Sequence, residues 1–92
     1  MSSPASDHDA LPSIDFATFV LSLSHSALMH LGEVPDPETN VTRVDLALAK
    51  QNVDILGLLE DKTKGNLTGD EERLLAQVLF DLRMRYVERS KK

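Results

Sequence analysis

The histidines are the residues of this sequence that most readily suggest chemistry, because imidazole binds metals and titrates near neutral pH. His25 and His30 lie in one stretch without glycine or proline, whereas His8 lies near the N-terminus. Metal-binding histidines on one helix are typically four residues apart, and a separation of five turns them about 140° away from each other. We therefore expect no metal site within one chain. A His25 cluster between the subunits of a symmetric oligomer is one alternative, and a solvated histidine without a ligand role is the other.

Nucleophiles and phosphate-binding loops would be the next indications of catalysis. The chain has no cysteine, which excludes disulfides, thiolate metal sites and a cysteine nucleophile. Its four glycines form no phosphate-binding loop, and no serine lies in a nucleophile-elbow motif. Asp70, Glu71 and Glu72 are explained by a helix start, where acidic groups oppose the helix dipole. We therefore expect neither an enzyme nor a cofactor.

Basic residues gather at the C-terminus, although the whole chain has a formal net charge of -5. They form a candidate basic patch of Arg83, Arg85, Arg89, Lys91 and Lys92. Such a patch would bind the phosphates of nucleic acid or an anionic membrane. However, cations in a last helical turn are also favoured by the helix dipole, and Arg85 can pair with Asp81 one turn earlier. Nucleic-acid or membrane contact is therefore the alternative, not the main prediction.

The length and composition indicate one small domain. With 92 residues, 41% of them hydrophobic and only 4% aromatic, the core is thin and consists of aliphatic side chains that favour helices. Residues 1–12 are polar around a single large apolar side chain, Leu11, so we predict a disordered tail there and one three-helix domain over residues 13–90. The tail lacks the charged and apolar regions of a secretory signal, and the expected location is cytoplasmic.

The first helix is predicted to run from Ile14 to Leu31. Gly32 follows at once and can adopt the left-handed conformation that ends a helix. Residues 32–43 are typical of a connector, because Pro35 and Pro37 forbid helix there. The acidic side chains of this connector form either a docking loop or a plain solvated turn: Glu33, Asp36 and Glu38.

Capping residues mark the starts of the other two helices. Thr42 followed by Asp45 resembles a capping box, which would start helix two at about Val44. Thr68 followed by Glu71 is a complete capping box, in which each residue satisfies a backbone donor of the other. Helix three should therefore begin directly after Thr68.

Helices two and three, predicted over residues 44–62 and 69–89, are joined by a short link. Links of about this length are typical of antiparallel helical hairpins. The expected fold is all-α, with an antiparallel hairpin of helices two and three. Helix one packs either across that hairpin or onto a neighbouring subunit, and the longer connector before helix two allows both arrangements.

Each predicted helix carries more apolar surface than a three-helix monomer needs. Helix two has a main face of Val44, Leu48, Ile55, Leu58 and Leu59, and a separate shoulder of Leu46, Ala49, Val53 and Leu56. Helix three has one apolar side of Leu74, Leu75, Val78, Leu79, Leu82 and Tyr86, and a second, nearly opposite side of Ala76, Phe80, Met84 and Val87. One side can fill the protomer core while the other meets a partner.

The candidate oligomer interface combines helix one with the second side of helix three: Phe16, Phe19, Leu23, Ala76, Phe80, Met84 and Val87. In one interpretation, helix one of the same chain covers Phe80, Met84 and Val87. In the other, which we favour, a second chain covers them. Helix one has more apolar surface than a single stripe of helix three could cover. The sequence thus predicts a homo-oligomeric interaction or scaffold module, with an unidentified protein as a further partner. The alternative is a regulatory protein that contacts nucleic acid or an anionic surface through its basic helix end.

Several segments of the sequence resemble a bacterial protein family. They are Ile14–Ser24, Ala27–Pro37, Thr63–Thr68 and Leu79–Tyr86. They are similar to the domain of unknown function family 1844, and the similarity covers nearly all of residues 13–88. The resemblance implies a small bacterial helical protein. It implies no activity, cofactor or site residue, because the family has none to carry over.

Overall fold

The computed structural model describes residues 14–91 of the chain. These residues form three α-helices in the order α1 (Phe16–His30), α2 (Leu46–Lys62) and α3 (Gly69–Ser90). The all-α prediction is confirmed, and the described part contains no strand beyond one bridged residue pair. The predicted tail of residues 1–12 lies outside the described residues, and so does His8.

Both ends of α1 follow local signals in the sequence. The Asp15 carboxylate accepts a hydrogen bond from the Thr18 backbone N–H at 2.8 Å, which satisfies one of the donors left unpaired in a first helical turn. Because Asp15 is the cap, the helix begins at Phe16 and not at Ile14. At the other end, Gly32 has a φ of +79°, the left-handed conformation that the sequence predicts.

The connector folds back so that its two ends meet. Leu31 and Val44 form an antiparallel bridge, and the Asp45 N–H donates to the His30 carbonyl at 2.7 Å. This pairing keeps Val44 extended, so Asp45 caps α2 by accepting a backbone N–H of the first turn at 3.1 Å. The predicted start of helix two at Val44, with a capping box at Thr42, is therefore wrong.

α2 and α3 form the predicted antiparallel hairpin. Lys50, near the start of α2, lies close to Tyr86, near the end of α3. Gly57, in the middle of α2, faces the guanidinium of Arg83. In the link between the helices, Gly65 has a φ of +86°, which a residue without a Cβ adopts freely. The chain direction therefore reverses between α2 and α3.

The core lies where the three helices meet. Its buried side chains are all aliphatic: Val20, Ala27, Leu31, Ala49, Val53, Leu56, Leu75, Leu79 and Leu82. α1 contacts both α2 and α3 of the same chain, so it packs across the hairpin, as in the first of the two predicted arrangements. No polar side chain is buried anywhere in residues 14–91. Hydrophobic burial is therefore the main force that holds these helices together.

Candidate protein-interaction surface

The outer side of α3 carries a continuous line of exposed apolar side chains, which we call the α3 stripe: Ala76, Phe80, Met84 and Val87. Phe80 is 68% exposed, Met84 58% and Val87 51%. Spacings of four, four and three residues keep the members on one side of the helix, away from its buried leucines. The first of our two interpretations is therefore wrong, because helix one of the same chain does not cover these side chains.

The start of α3 is fixed by hydrogen bonds between neighbouring residues. The Glu71 N–H donates to Thr68 Oγ1 at 3.2 Å, and the Thr68 N–H donates to Glu71 Oε1 at 2.9 Å. The predicted capping box is therefore confirmed. Asp70 and Glu72 add negative charge to the same turn, where it opposes the helix dipole. The cap therefore defines where α3 begins, and burial of its leucines in the core leaves the stripe facing outward.

The C-terminal half of α3 is fixed to the connector by one carboxylate. Glu33, just after α1, accepts hydrogen bonds from Arg85 Nη1 and Arg89 Nη2, each at 3.3 Å. The side chains of Glu33 and Arg89 are each 32% exposed, so solvent screens these pairs and each contributes less than about 1 kcal/mol. Their effect is mainly geometric, since they hold the end of α3 against the connector.

These contacts place members of the predicted basic patch on different sides of α3. Arg85 and Arg89 lie on the side of α3 that faces Glu33, and Arg85 Nε also donates to Asp81 Oδ2 at 2.8 Å. The hydrogen bond to the Asp81 carboxylate raises the pKa of Arg85. The other predicted members are Arg83, which lies against Gly57 on the α2 side, the exposed Lys91, and Lys92, which lies outside the described residues. The structure therefore places Arg83 on a different side of α3 from Arg85 and Arg89.

The helix-one members of the predicted interface have a different environment from the α3 stripe. Phe16 and Leu23 are half-buried and pack against the core of their own chain. Phe19 is 44% exposed. Only Phe19 of the three therefore presents a large part of its side chain to solvent.

α2 buries its shoulder and exposes most of its main face. Ala49 and its neighbours on the shoulder are in the core, whereas Leu48, Ile55 and Leu58 are 42%, 41% and 57% exposed. We call these three residues the α2 surface. The apolar pattern of α2 does not predict which face is buried, although the sizes of its side chains give an indication. Ala49 and Gly57 are small, and small residues let neighbouring helices approach closely.

His25 and His30 lie apart, as their spacing predicts. His30 lines a surface cavity of about 220 Å³ with Asp36, Arg43 and Asp45. His25 lines a different, open part of the surface on α1. Among residues 14–91, no group of three or more histidine, aspartate or glutamate side chains is arranged to hold a metal ion.

Comparison with known proteins places most of the chain in a family. Residues 13–88 match the model of the family described as domain of unknown function (DUF1844). Neither the curated proteins nor the solved structures gave a match to this chain. No helix in the described range is long and apolar enough to cross a membrane. The family description names no activity.

Proposed function

The chain belongs to the DUF1844 family, and we propose that it is a homo-oligomeric interaction module that associates with itself through the α3 stripe. The proposed role is non-catalytic, because the protein acts by presenting a helical surface. The observation that carries the proposal is the 68% exposure of Phe80 within a continuous apolar line. The cytoplasmic location and a further protein partner stay predictions.

Burial of the stripe is favourable enough to drive association. Single exposed apolar side chains are common, but a line of large ones is typical of an interaction surface. Full burial of a side chain such as Phe80, Met84 or Val87 contributes about 1.5–3 kcal/mol. Aromatic side chains surrounded by apolar neighbours also dominate the binding energy of many interfaces. A partner that covers the stripe therefore gains a free energy comparable to the net stability of a small domain.

A second copy of the chain is the partner that best fits this surface. α1 cannot turn to cover the stripe without leaving the core, because Phe16 and Leu23 pack there. A second copy brings an identical stripe, so both apolar surfaces leave water in one contact. A two-fold arrangement of this kind also closes and does not form a filament.

The proposal is tested by the mass of the chain in solution, measured by multi-angle light scattering over a range of concentrations. The unmodified chain should be an oligomer, and Phe80→Asp should be a monomer, because a buried unpaired charge opposes association. Leu58→Asp is the matched control, since Leu58 is 57% exposed on α2 and outside the stripe. It should leave the mass unchanged. Circular dichroism should show equal helix content in all three chains.

Two results would contradict the proposal. One is an unmodified chain that stays monomeric at high concentration. The other is an oligomer that dissociates with Leu58→Asp and persists with Phe80→Asp, which would place the interface on the α2 surface. Each result is distinct from misfolding, because the circular dichroism spectrum reports the helices separately.

Contact with nucleic acid or an anionic surface is the weaker proposal. Arg85 and Arg89 already share the Glu33 carboxylate, so two of the predicted cations are partly neutralised. A salt-dependent shift of labelled DNA, or binding to anionic vesicles, would support this alternative. Association of the chain with itself and no such shift would support the interaction module.

A further inference from the structure

The α3 stripe can pack against a second copy of itself, because the side chains on the two sides of Phe80 differ in size. Ala76 lies four residues before Phe80 and Met84 lies four residues after it, and all three are exposed. The Ala76 side chain is a single methyl group, whereas the Met84 side chain is long and flexible. When two copies of α3 lie antiparallel with Phe80 at the centre, Met84 of each copy covers Ala76 of the other. A large side chain then fills the space beside a small one, which is how well-packed helix interfaces avoid voids.

Two charged side chains near the stripe also match when two copies of α3 lie antiparallel. Arg73 lies seven residues before Phe80, and Glu88 lies eight residues after it. Both are exposed: Arg73 continues the line of the stripe, about 20° around the helix from Phe80, and Glu88 lies about 60° farther to the same side. In the antiparallel arrangement, Arg73 of each copy lies level with Val87 of the other, and its guanidinium comes beside the adjacent Glu88. Arg73 also pairs with Asp70 in its own helix, so the contact with a second copy extends an ion pair that already orients this guanidinium.

A parallel arrangement lacks these matches. It places Met84 against Met84 and Ala76 against Ala76, so that one end of the seam is crowded and the other is empty. It also places Arg73 against Arg73 and sets the two helix dipoles side by side in the same direction. Like charges at facing positions are unfavourable. Size and charge therefore select the same orientation.

We infer that two copies of this chain pair through antiparallel α3 helices, with a two-fold axis beside Phe80 and with Arg73 of each copy paired to Glu88 of the other. The inference rests on the proposed function and specifies its partner. The contact runs from Arg73 to Glu88, about 22 Å along the helix. A single helix pair buries less than the roughly 800 Å² per partner of a standard interface, so the dimer is dynamic and depends on concentration.

Charge reversal tests the orientation. Arg73→Glu and Glu88→Arg each replace two ion pairs of the dimer with two like-charge contacts, so each should raise the dimer dissociation constant by roughly three- to thirty-fold. The double variant restores opposite charges at both contacts, and its dissociation constant should return to within roughly twofold of the unmodified chain. Sedimentation equilibrium at low salt measures all four chains, and Phe80→Asp provides the monomer reference.

Disulfide trapping gives an independent readout, because the chain has no cysteine of its own. Ala76→Cys and Met84→Cys chains are mixed and oxidised. The antiparallel arrangement predicts that the mixed disulfide predominates over both homodisulfides in the mass spectrum. A parallel arrangement predicts the two homodisulfides.

The outcomes separate the orientation from the proposed function. If the unmodified chain is a monomer, both are overturned. If it is a dimer in which the charge-reversal double variant is no tighter than the single variants, or in which homodisulfides predominate, the antiparallel pairing is overturned and association through the stripe stands. Recovery in the double variant together with the mixed disulfide supports the pairing.

Discussion

Each of the three helices begins with a side chain that accepts a hydrogen bond from the first turn. The caps are Asp15 for α1, Asp45 for α2 and Thr68 for α3. Two of these acceptors are carboxylates, and the third is a hydroxyl that works with Glu71. The caps matter in this protein because the core is small, so a contribution of about 1 kcal/mol is a noticeable part of the net stability.

Thr68→Ala tests the α3 cap. The substitution removes the acceptor of the Glu71 N–H, so the free energy of unfolding should fall by about 1 kcal/mol. Thr68→Ser is the control, because serine keeps the hydroxyl. Its free energy of unfolding should fall much less. Urea unfolding followed by circular dichroism measures both. Equal losses in the two variants would show that the methyl group of Thr68, and not its hydroxyl, is responsible.

The α1 cap should make stability depend on pH. Hydrogen bonding from the Thr18 backbone and hydroxyl lowers the pKa of Asp15. Because this pKa is lower in the folded chain than in the unfolded chain, the carboxylate stabilises the fold at neutral pH. That contribution is lost as the pH falls through the lowered pKa.

Asp15→Ala isolates this effect. The variant should be less stable than the unmodified chain near pH 7, and the difference should shrink as the pH is lowered towards about 2. Asp15→Asn is the control, because its amide oxygen can still cap the helix but does not titrate in this range. Thermal unfolding at several pH values measures all three chains. A difference between Asp15→Ala and the unmodified chain that does not change with pH would contradict the prediction.

Local signals predicted the α3 cap and the end of α1 from the sequence. The Thr68 capping box and the Gly32 terminator depend only on residues within one or two turns, and both are present in the structure. The α2 cap was misplaced because it depends on a distant pairing. The Asp45 N–H donates to the His30 carbonyl, and no pattern near residue 45 reports that bond.

At the level of the helices, two glycines have opposite roles. Gly32 has a φ of +79°, and a Cβ there would lie 2.7 Å from Val44 Cγ2. Gly57 sits inside α2, where a Cβ would meet only the end of the Arg83 side chain, at 3.1 Å. The guanidinium is exposed and flexible and can move aside, whereas the Val44 position is tied to Leu31 by the bridge.

Gly57→Ala should therefore stabilise the fold, by about 0.5–1 kcal/mol, because alanine has the higher helix propensity. Gly32→Ala should destabilise it by about 1–2 kcal/mol or more, because it combines an unfavourable φ with a steric clash. Chemical unfolding measures both variants against the same reference. A destabilised Gly57→Ala chain would mean that Arg83 cannot leave its place beside α2, and that its contact there contributes to the hairpin.

Periodicity predicted the number and order of the helices but not the burial of every face. In α3 the two apolar sides differ in bulk, and the leucine-rich side is the one in the core. In α2 most of the face with the larger side chains is exposed, since the fully buried contact with α1 and α3 is made by Ala49, Val53 and Leu56. The choice depends on how closely the three helices approach one another, which is a property of the assembled chain and not of one helix.

Over the described part of the molecule, exposed large apolar side chains outnumber the fully buried ones. Among the described residues, nine hydrophobic side chains are buried and eleven large ones are exposed. A domain of this size has a small margin of stability, so burial of part of this surface by a second copy would strengthen the fold itself. Association and folding are therefore expected to be linked.

This linkage predicts that the melting temperature rises with protein concentration. Association stabilises the folded chain and not the unfolded chain, and a partner present at a hundred times its dissociation constant adds about 2.7 kcal/mol. For a domain of this length, such a contribution corresponds to a rise of roughly ten degrees or more. Scanning calorimetry over a hundred-fold range of concentration measures the rise in the unmodified chain and in Leu58→Asp. Phe80→Asp should melt at one temperature throughout the range, and a concentration dependence equal to that of the unmodified chain would show that association does not require the α3 stripe.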